Sequence, residues 1–222
     1  MKSKLVTLLL ALVFSLGLIA SAQAVPVTAT ITADNFYALY HGNESGVTFV
    51  GRNETGPTGD PGTYNWSLPE TWAFNLSAGD YIYVAGWSDG SVAQAWIGEF
   101  IVGGQSLLTN ASDWEVYLTY ESLTGAQTPT VESVLLNLND ATWDSIHETR
   151  NNGAAPWGTI ADISTEAQWI WGSAMSPGSS YGEYQLFRTK VSPSPVPEPG
   201  TLLLLGCGLA GLALYRRKMN KA

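Results

Sequence analysis

The chain has 222 residues, a formal net charge of −9 and one cysteine, Cys207. Its central body, residues 25–196, carries four basic and 18 acidic side chains, a net charge of about −14 that disfavours binding to nucleic acid and anionic lipid. Because Cys207 lies outside this body, the body contains no disulfide, thiol nucleophile or cysteine-based metal site.

The first 24 residues have the three parts of a secretory signal peptide. Lys2 and Lys4 give a positive start, residues 5–20 are apolar, and Ala22-Gln23-Ala24 is a small-x-small cleavage site. We expect this segment to form a signal helix that directs export through the Sec translocon and is cleaved off after Ala24. The alternative interpretation is an uncleaved N-terminal membrane anchor.

Residues 25–191 are predicted to form one all-β domain. Segments rich in β-branched and aromatic residues alternate with Gly, Asn, Asp and Pro at intervals of about 8–12 residues, which is typical of a sandwich or barrel. Trp169-Ile170-Trp171 favours a further strand, although a helical turn can precede it. The other predicted strands are 27–31, 36–40, 47–50, 72–76, 81–85, 96–102, 114–120, 131–138 and 184–191.

Several segments of this body resemble motifs of galactose-binding-like domains. They are ITADNFYALYHGN at 31–43, GDYIYVAGWSDG at 79–90 with AWIGEF at 95–100, LLTNASDWEVY at 107–117, NNGAAPWGTI at 151–160, and the stretch from AQWIW to FRTKV at 167–191. The last of these often opens such domains and here closes the body, so the strand order looks permuted. The resemblance implies an antiparallel two-sheet β-sandwich (jelly roll), often a non-catalytic carbohydrate-binding module and in some members with a structural calcium ion.

Catalytic motifs in the body are incomplete. Residues 86–90, Gly-Trp-Ser-Asp-Gly, fit a nucleophile elbow with Asp144 and His147 as triad partners, but Asp89-Gly90 predicts a hairpin turn into another strand. A glycosidase needs two carboxylates about 5–10 Å apart, and pairs such as Asp80 and Asp89 leave that alternative open. We predict no catalytic residue and no cofactor, while the acidic loops offer the oxygen ligands of a structural calcium ion whose site is not assigned.

All nine tryptophans lie in the body. Because aromatic side chains fill the cores of β-sandwiches, we expect a core position for Trp72, Trp96, Trp114, Trp169 and Trp171. The other four stand beside Gly, Asn, Asp or Pro, which predicts loops, where indoles either pack locally or stack on sugar rings beside polar groups that bind hydroxyls. The candidate ligand-binding residues are therefore Trp66, Trp87, Asp89, Trp143 and Trp157.

The C-terminal segment has the features of a sorting signal. A Pro/Ser linker at 192–196 leads to Pro197-Glu198-Pro199, an apolar run at 201–215, and the basic cluster Arg216, Arg217 and Lys218. As a helix the apolar run spans roughly 22 Å, which is short for a permanent membrane span of about 20 residues. The basic cluster is expected to stay on the cytoplasmic side.

These three parts resemble a PEP-CTERM sorting signal, the substrate tag of exosortases in Gram-negative bacteria. The resemblance implies that residues 197–222 are a sorting tail containing a C-terminal membrane helix. It also implies transient inner-membrane anchoring, processing by exosortase, and delivery to the cell surface or extracellular matrix. We therefore expect an exported, non-catalytic protein that binds or builds extracellular polysaccharide. The alternatives are a purely structural surface protein without a ligand, and a secreted glycosidase or lyase.

Overall fold

The structure is a computed structural model that describes residues 24–53, 66–90, 93–124, 127–176 and 183–191. It also describes helical positions in the tail at 205, 206, 208, 209, 211, 212, 216 and 219. The predicted signal helix, the Pro/Ser linker and Pro197-Glu198-Pro199 lie outside the described residues. Gln23–Pro193 forms one compact unit, which contains every described strand.

The described part of this unit forms two antiparallel sheets and one helix. In chain order the elements are β1 (Val25–Asp34), β2 (Phe36–Asn43), β3 (Gly46–Arg52), β4 (Glu70–Leu76), β5 (Tyr81–Trp87), β6 (Ala95–Val102), β7 (Gln105–Leu108), β8 (Glu115–Ser122), α1 (Val131–Asp140), β9 (Asp144–Ser145), β10 (Glu148–Asn151), β11 (Gln168–Trp171) and β12 (Glu183–Lys190). The first sheet has the order β10-β11-β6-β1-β4, with β7 also paired to β6, and the second has the order β3-β2-β5-β12-β8-β9. The predicted antiparallel two-sheet sandwich is confirmed.

The main core lies between the two sheets and is rich in aromatic rings. Trp96 on β6 meets Trp114 edge-on at 4.8 Å between ring centroids and Phe187 of β12 at 5.4 Å. Trp169 and Trp171 are buried in the same cluster. The core prediction is confirmed for these four tryptophans, whereas Trp72, on the edge strand β4, is only partly buried.

The segment 131–138 was expected to be a strand and is instead α1. Thr130 caps the helix, because its side chain accepts a hydrogen bond from the Ser133 backbone N–H at 3.1 Å. Val134 and Leu138 are buried four residues apart, which is the spacing of one helix face. The β-branched content of the segment suggested a strand, but the cap and this spacing outweigh it.

The helix helps to cover the outer face of the second sheet and creates a second, smaller core. Val134 and Leu138 pack there with alternating residues of three strands: Phe36, Ala38 and Tyr40 of β2, Tyr83, Ala85 and Trp87 of β5, and Tyr184 and Leu186 of β12. The second sheet is therefore buried on both faces over much of its area. This explains why β2 and β5 are almost continuously buried rather than alternating.

The predicted Asp89-Gly90 hairpin is wrong. The preceding strand, β5, lies in the second sheet and the following strand, β6, lies in the first, so the chain crosses between sheets here. Gly90 has a φ of 73°, which fits a sharp change of direction, but its neighbouring strands do not pair with each other. Turn residues in a sequence predict a change of chain direction, but they do not predict whether the two flanking strands pair with each other.

Candidate functional site

The four tryptophans predicted to be loop residues have different environments. Trp66 is 37% exposed and Trp143 is half-buried, whereas Trp87 and Trp157 are 0% and 3% exposed. The expectation of a loop position is therefore wrong for Trp87, which is the last residue of β5, whereas Trp157 lies between strands but is buried. Neither of these two indoles presents a ring face to solvent.

Trp87 is buried because β5 continues two residues further than predicted. It pairs with Phe36 of β2, and the two rings stack with centroids 5.4 Å apart at an interplanar angle of 17°. The guanidinium carbon of Arg52 lies 5.5 Å from the centroid of the indole. Gly86, which suggested a loop, lies inside the strand, and a Cβ at that position would come within 2.9 Å of the Trp171 ring.

Trp157 does lie between strands, but its indole turns into the main core. It stacks on Trp169 with centroids 4.3 Å apart and an interplanar angle of 23°. Its Nε1 donates a 2.7 Å hydrogen bond to Oδ2 of Asp34, at the end of β1. The alternative of local packing, rather than sugar stacking, describes Trp157 as it lies in the structure.

The Asp34 carboxyl group forms part of a buried polar cluster at this end of the sandwich. Burial raises its pKa to about 6, although the Trp157 hydrogen bond lowers the pKa, and the negative charge of Asp89 raises it further. The neighbouring Asn35 accepts hydrogen bonds on Oδ1 from the Asp89 backbone N–H at 2.9 Å and bonds the Ser88 hydroxyl at 3.3 Å. Asp89 itself is exposed at the rim of the cluster.

Two of the proposed catalytic features have unsuitable geometry. Ser88 is 2% exposed, and its Oγ accepts a hydrogen bond from the Gly90 backbone N–H at 3.0 Å. Asp80 and Asp89 lie before and after the seven-residue strand β5, which separates them by roughly 25 Å. The suggestion that these two carboxylates form a glycosidase pair is therefore wrong.

Trp143 belongs to a partly exposed aromatic cluster on the outer face of the second sheet. We call Tyr81, Tyr117, Trp143 and Arg188 the Trp143 platform; all four are half-buried. The guanidinium carbon of Arg188 lies 4.1 Å from the Trp143 ring centroid and 5.0 Å from that of Tyr81. The Tyr117 ring lies 6.3 Å from Trp143.

Strand register brings the platform together. Arg188 of β12 pairs with Glu115 of β8, and two residues away Leu186 pairs with Tyr117, so these side chains share one face. Arg188 donates from Nε to Oε2 of Glu115 at 2.7 Å, which fixes the guanidinium against the Trp143 ring. The platform therefore combines aromatic faces with a donor and with the exposed Glu115 carboxylate.

A depression beside the β8–β12 pair was missed by the sequence analysis. The space inside and in front of it, open solvent included, is about 380 Å³, and its lining residues are Leu118, Thr119, Tyr120, Ser173, Glu183, Tyr184 and Gln185. Tyr120 is 73% exposed and has a φ of 58°. An aromatic residue inside a strand-like segment gives no sequence signal for a left-handed backbone, so this position was assigned only to a strand.

The sequence predicted a structural calcium ion without assigning its ligands. Within the ranges that the structure describes, no three His, Cys, Asp or Glu side chains converge to hold a metal ion. The structural calcium ion stays a prediction. The wider polar cluster around Asp34 and Asn35 is built instead from amide, hydroxyl and indole hydrogen bonds.

Residues 195–218 match the PEP-CTERM protein-sorting motif, which confirms the predicted signal. The motif marks the chain for export and for exosortase processing in a Gram-negative bacterium. The described tail positions are helical, and none of the helices in the described residues is long and apolar enough to span a membrane.

The body has no match among curated proteins or solved structures. The sandwich architecture fits a jelly roll. The resemblance to galactose-binding-like domains, and with it the permuted strand order, stays a prediction. The function of the body must therefore be argued from its own surface.

Proposed function

We propose that the protein is a non-catalytic, exported polysaccharide-binding component of the cell surface or extracellular matrix. In this proposal the Sec translocon exports the chain, the tail holds it briefly at the inner membrane, and exosortase then processes it. The sorting motif at 195–218 supports the route. The Trp143 platform supports the binding role, and it is the observation on which the proposal rests.

The chemistry of the platform suits sugar rings. The C–H faces of pyranoses stack on aromatic side chains, and Trp143, Tyr81 and Tyr117 offer partly exposed rings on one sheet face. Arg188 and Glu115 add a charged donor and acceptor beside these rings, at a fixed separation of 2.7 Å. Polar groups held in place beside an aromatic surface are what gives a carbohydrate site its selectivity.

The charge of the body narrows the class of polymer. With about 14 net negative charges, the body repels strongly anionic polysaccharides at long range. The cationic group of the platform, Arg188, is already paired with Glu115 and does not offer a free charge to a uronate. We therefore propose a neutral polysaccharide as the ligand of this face.

Two other functions remain as alternatives, and each has its own test. A purely structural protein would use the Trp143 platform only to pack the sheet face, and no substitution there would change retention on a polymer. A glycosidase or lyase would release reducing ends from a polysaccharide. Assay of the purified protein for reducing-end release tests the second alternative directly.

The proposal is tested by affinity electrophoresis of the purified mature protein through gels containing neutral or anionic polysaccharide. Trp143→Ala is expected to lose most of the retardation in the neutral polymer, and Arg188→Lys to weaken it, because the planar guanidinium stack is lost. Ile101→Ala is the control, since Ile101 is 39% exposed and lies on β6 of the first sheet, away from the platform. Its retardation should equal that of the parent.

Because Trp143 is half-buried, its removal also lowers stability. Retardation is therefore compared at a temperature at which circular dichroism shows every variant to be folded, and Trp143→Tyr, which keeps an aromatic ring, is included. Partial retention by Trp143→Tyr together with loss by Trp143→Ala supports the proposal. Equal retardation of the parent and folded Trp143→Ala in every polymer would contradict it.

A further inference from the structure

The backbone of β8 carries an unusual feature at Tyr120. Its φ of 58° places a bulky aromatic residue in the left-handed region, which glycine and asparagine adopt far more readily. On the partner strand β12 the register shifts between Glu183 and Gln185, so the ladder is irregular at this position. The irregularity turns the chain at the mouth of the depression described above.

This conformation is not compensated by burial of the ring. Tyr120 is the most exposed large hydrophobic side chain of the described residues, at 73%. No residue that the structure describes makes a hydrogen bond or an aromatic ring contact with the Tyr120 side chain. A strained backbone that displays an aromatic ring beside a depression is typical of a site that serves binding rather than folding.

The wall of the depression is polar and held in place. Gln185 is 1% exposed, its Oε1 accepts from the Gly172 backbone N–H at 2.7 Å, and its Nε2 donates to Ser173 Oγ at 3.0 Å. Ser173 accepts that bond and keeps its own hydroxyl proton for another acceptor. Glu183, at the first position of β12, adds a half-buried carboxylate.

The depression and the Trp143 platform are on different parts of the domain. Gln185 lies on the same face of β12 as Phe187, which packs between the sheets, whereas Leu186 and Arg188 point to the outer face of the second sheet. Ser173 comes from the segment that follows β11 of the first sheet. The depression thus opens at the end of the sandwich where the two sheets meet.

We propose that this depression, the Tyr120 pocket, binds a single neutral pyranose ring. The apolar face of the sugar stacks on the Tyr120 phenol ring, Glu183 accepts hydrogen bonds from its hydroxyls, and Ser173 donates one to a sugar oxygen. A uronate is disfavoured, because its carboxylate would meet that of Glu183. The inference deepens the proposed polysaccharide function and rests on it only for the source of the sugar.

A pocket and a platform on separate faces give the domain two sugar sites. The platform, which carries several partly exposed rings, suits sugar rings within a chain, whereas a pocket suits a chain end or a side branch. One molecule then bridges two polymer strands without forming an oligomer, and the two contacts reinforce each other through effective concentration.

The Tyr120 pocket is tested by saturation-transfer-difference NMR on the purified mature protein. The probes are methyl β-glucoside, methyl β-galactoside, methyl α-mannoside and sodium glucuronate. Tyr120→Gly removes the ring and accepts the left-handed backbone, so it is expected to fold at least as well as the parent. Asp162→Gly is the matched control, since Asp162 is also exposed with a φ of 64° but lies outside the pocket.

We expect the parent to transfer saturation to at least one neutral glycoside and to transfer little saturation to glucuronate. Tyr120→Gly should weaken binding at least about tenfold, the equivalent of about 1.4 kcal/mol, and Glu183→Gln should weaken it less while improving the response to glucuronate. Asp162→Gly should match the parent. Absence of any response to the neutral glycosides, or an unchanged response in Tyr120→Gly, would overturn the proposal.

The outcome for the platform is separate. If the glycosides bind through Tyr120 while Trp143→Ala leaves polymer retardation unchanged, the pocket stands and the platform fails. If the glycosides do not bind while Trp143→Ala abolishes retardation, the pocket fails and the platform stands.

Discussion

Trp157 and Asp34 lie 123 positions apart in the sequence and are joined by a 2.7 Å hydrogen bond from the indole Nε1 to Oδ2. The bond ties the connection between β10 and β11 to the end of β1, all within the first sheet. It leaves a carboxyl group 9% exposed at that end, beside Asn35 and near the charge of Asp89. The stability of this corner should therefore depend on pH.

The first prediction concerns Asp34→Asn. Burial raises the pKa of Asp34 from 3.8 to about 6, so the folded state disfavours its ionised form. The stabilising contribution of this group is complete below pH 3.8 and is lost as the pH rises through 6, at a cost of up to about 3 kcal/mol. The neutral asparagine avoids that cost. Relative to the parent, its melting temperature should rise increasingly between pH 4 and pH 7.

The comparison uses the difference between variant and parent, since other carboxylates act in the opposite direction. Hydrogen bonding from the Met175 backbone N–H, for example, holds the pKa of Glu148 below its usual value. Asp162→Asn, at an exposed position that also tolerates asparagine, is the control. A difference between Asp34→Asn and the parent that does not change with pH would show that Asp34 is ionised in the fold at no cost.

The second prediction separates core indoles from accessible ones. Trp87→Ala and Trp157→Ala should each lower the free energy of unfolding by about 3–5 kcal/mol, as Trp114→Ala should, because burial and cavity terms add. Trp66→Ala should lower it by less than these three substitutions do, because 37% of the Trp66 side chain remains exposed to solvent. Urea unfolding followed by circular dichroism measures all four. Near-parental stability of Trp87→Ala or Trp157→Ala would mean that the indole is not packed as the structure places it.

Local pattern was enough to predict most of the sandwich. Strands such as β1, with Val27, Ala29 and Ile31 buried and Thr28 exposed between them, carry the period of two that a half-buried strand requires. The same reasoning failed at α1, because it gave the β-branched residues of the segment more weight than the helix cap at Thr130. It also failed to pair strands, since antiparallel neighbours such as β5 and β12 are far apart in the chain.

The candidate site was less predictable, because exposure depends on tertiary packing. Gly86 suggested a loop at Trp87, but this glycine lies in a strand and leaves room for the Trp171 ring. Pro156 suggested a loop at Trp157, but the Trp157 indole turns into the core and stacks on Trp169. Trp143 gains its partners only through the register of β8 with β12. The exposure of the Tyr120 ring depends on a left-handed backbone conformation that the residue type does not predict.

The third prediction concerns cross-linking by the two proposed sugar sites. The parent should increase the apparent hydrodynamic size of a dilute neutral polysaccharide in dynamic light scattering, because each molecule bridges two strands. Trp143→Ala and Tyr120→Gly should each abolish the increase while the other site still binds. An increase that survives in either single variant would mean that the bridging does not use both sites.

The fourth prediction concerns processing in the native host. Signal cleavage after Ala24 and exosortase processing near Pro197-Glu198-Pro199 should give a mature product that begins at Val25 and lacks the basic cluster at 216–218. An apolar run of about 15 residues is short for a stable span, so the segment is expected to serve transfer rather than permanent anchorage. Intact mass spectrometry of the protein recovered from the cell surface and medium measures both ends.

The matched variant Glu198→Ala should leave the N-terminal cleavage unchanged while the full tail persists in the membrane fraction. A parent product that keeps residues 216–222 as its dominant form would show that the tail is a lasting anchor, and the polysaccharide sites would then act on a membrane-bound protein.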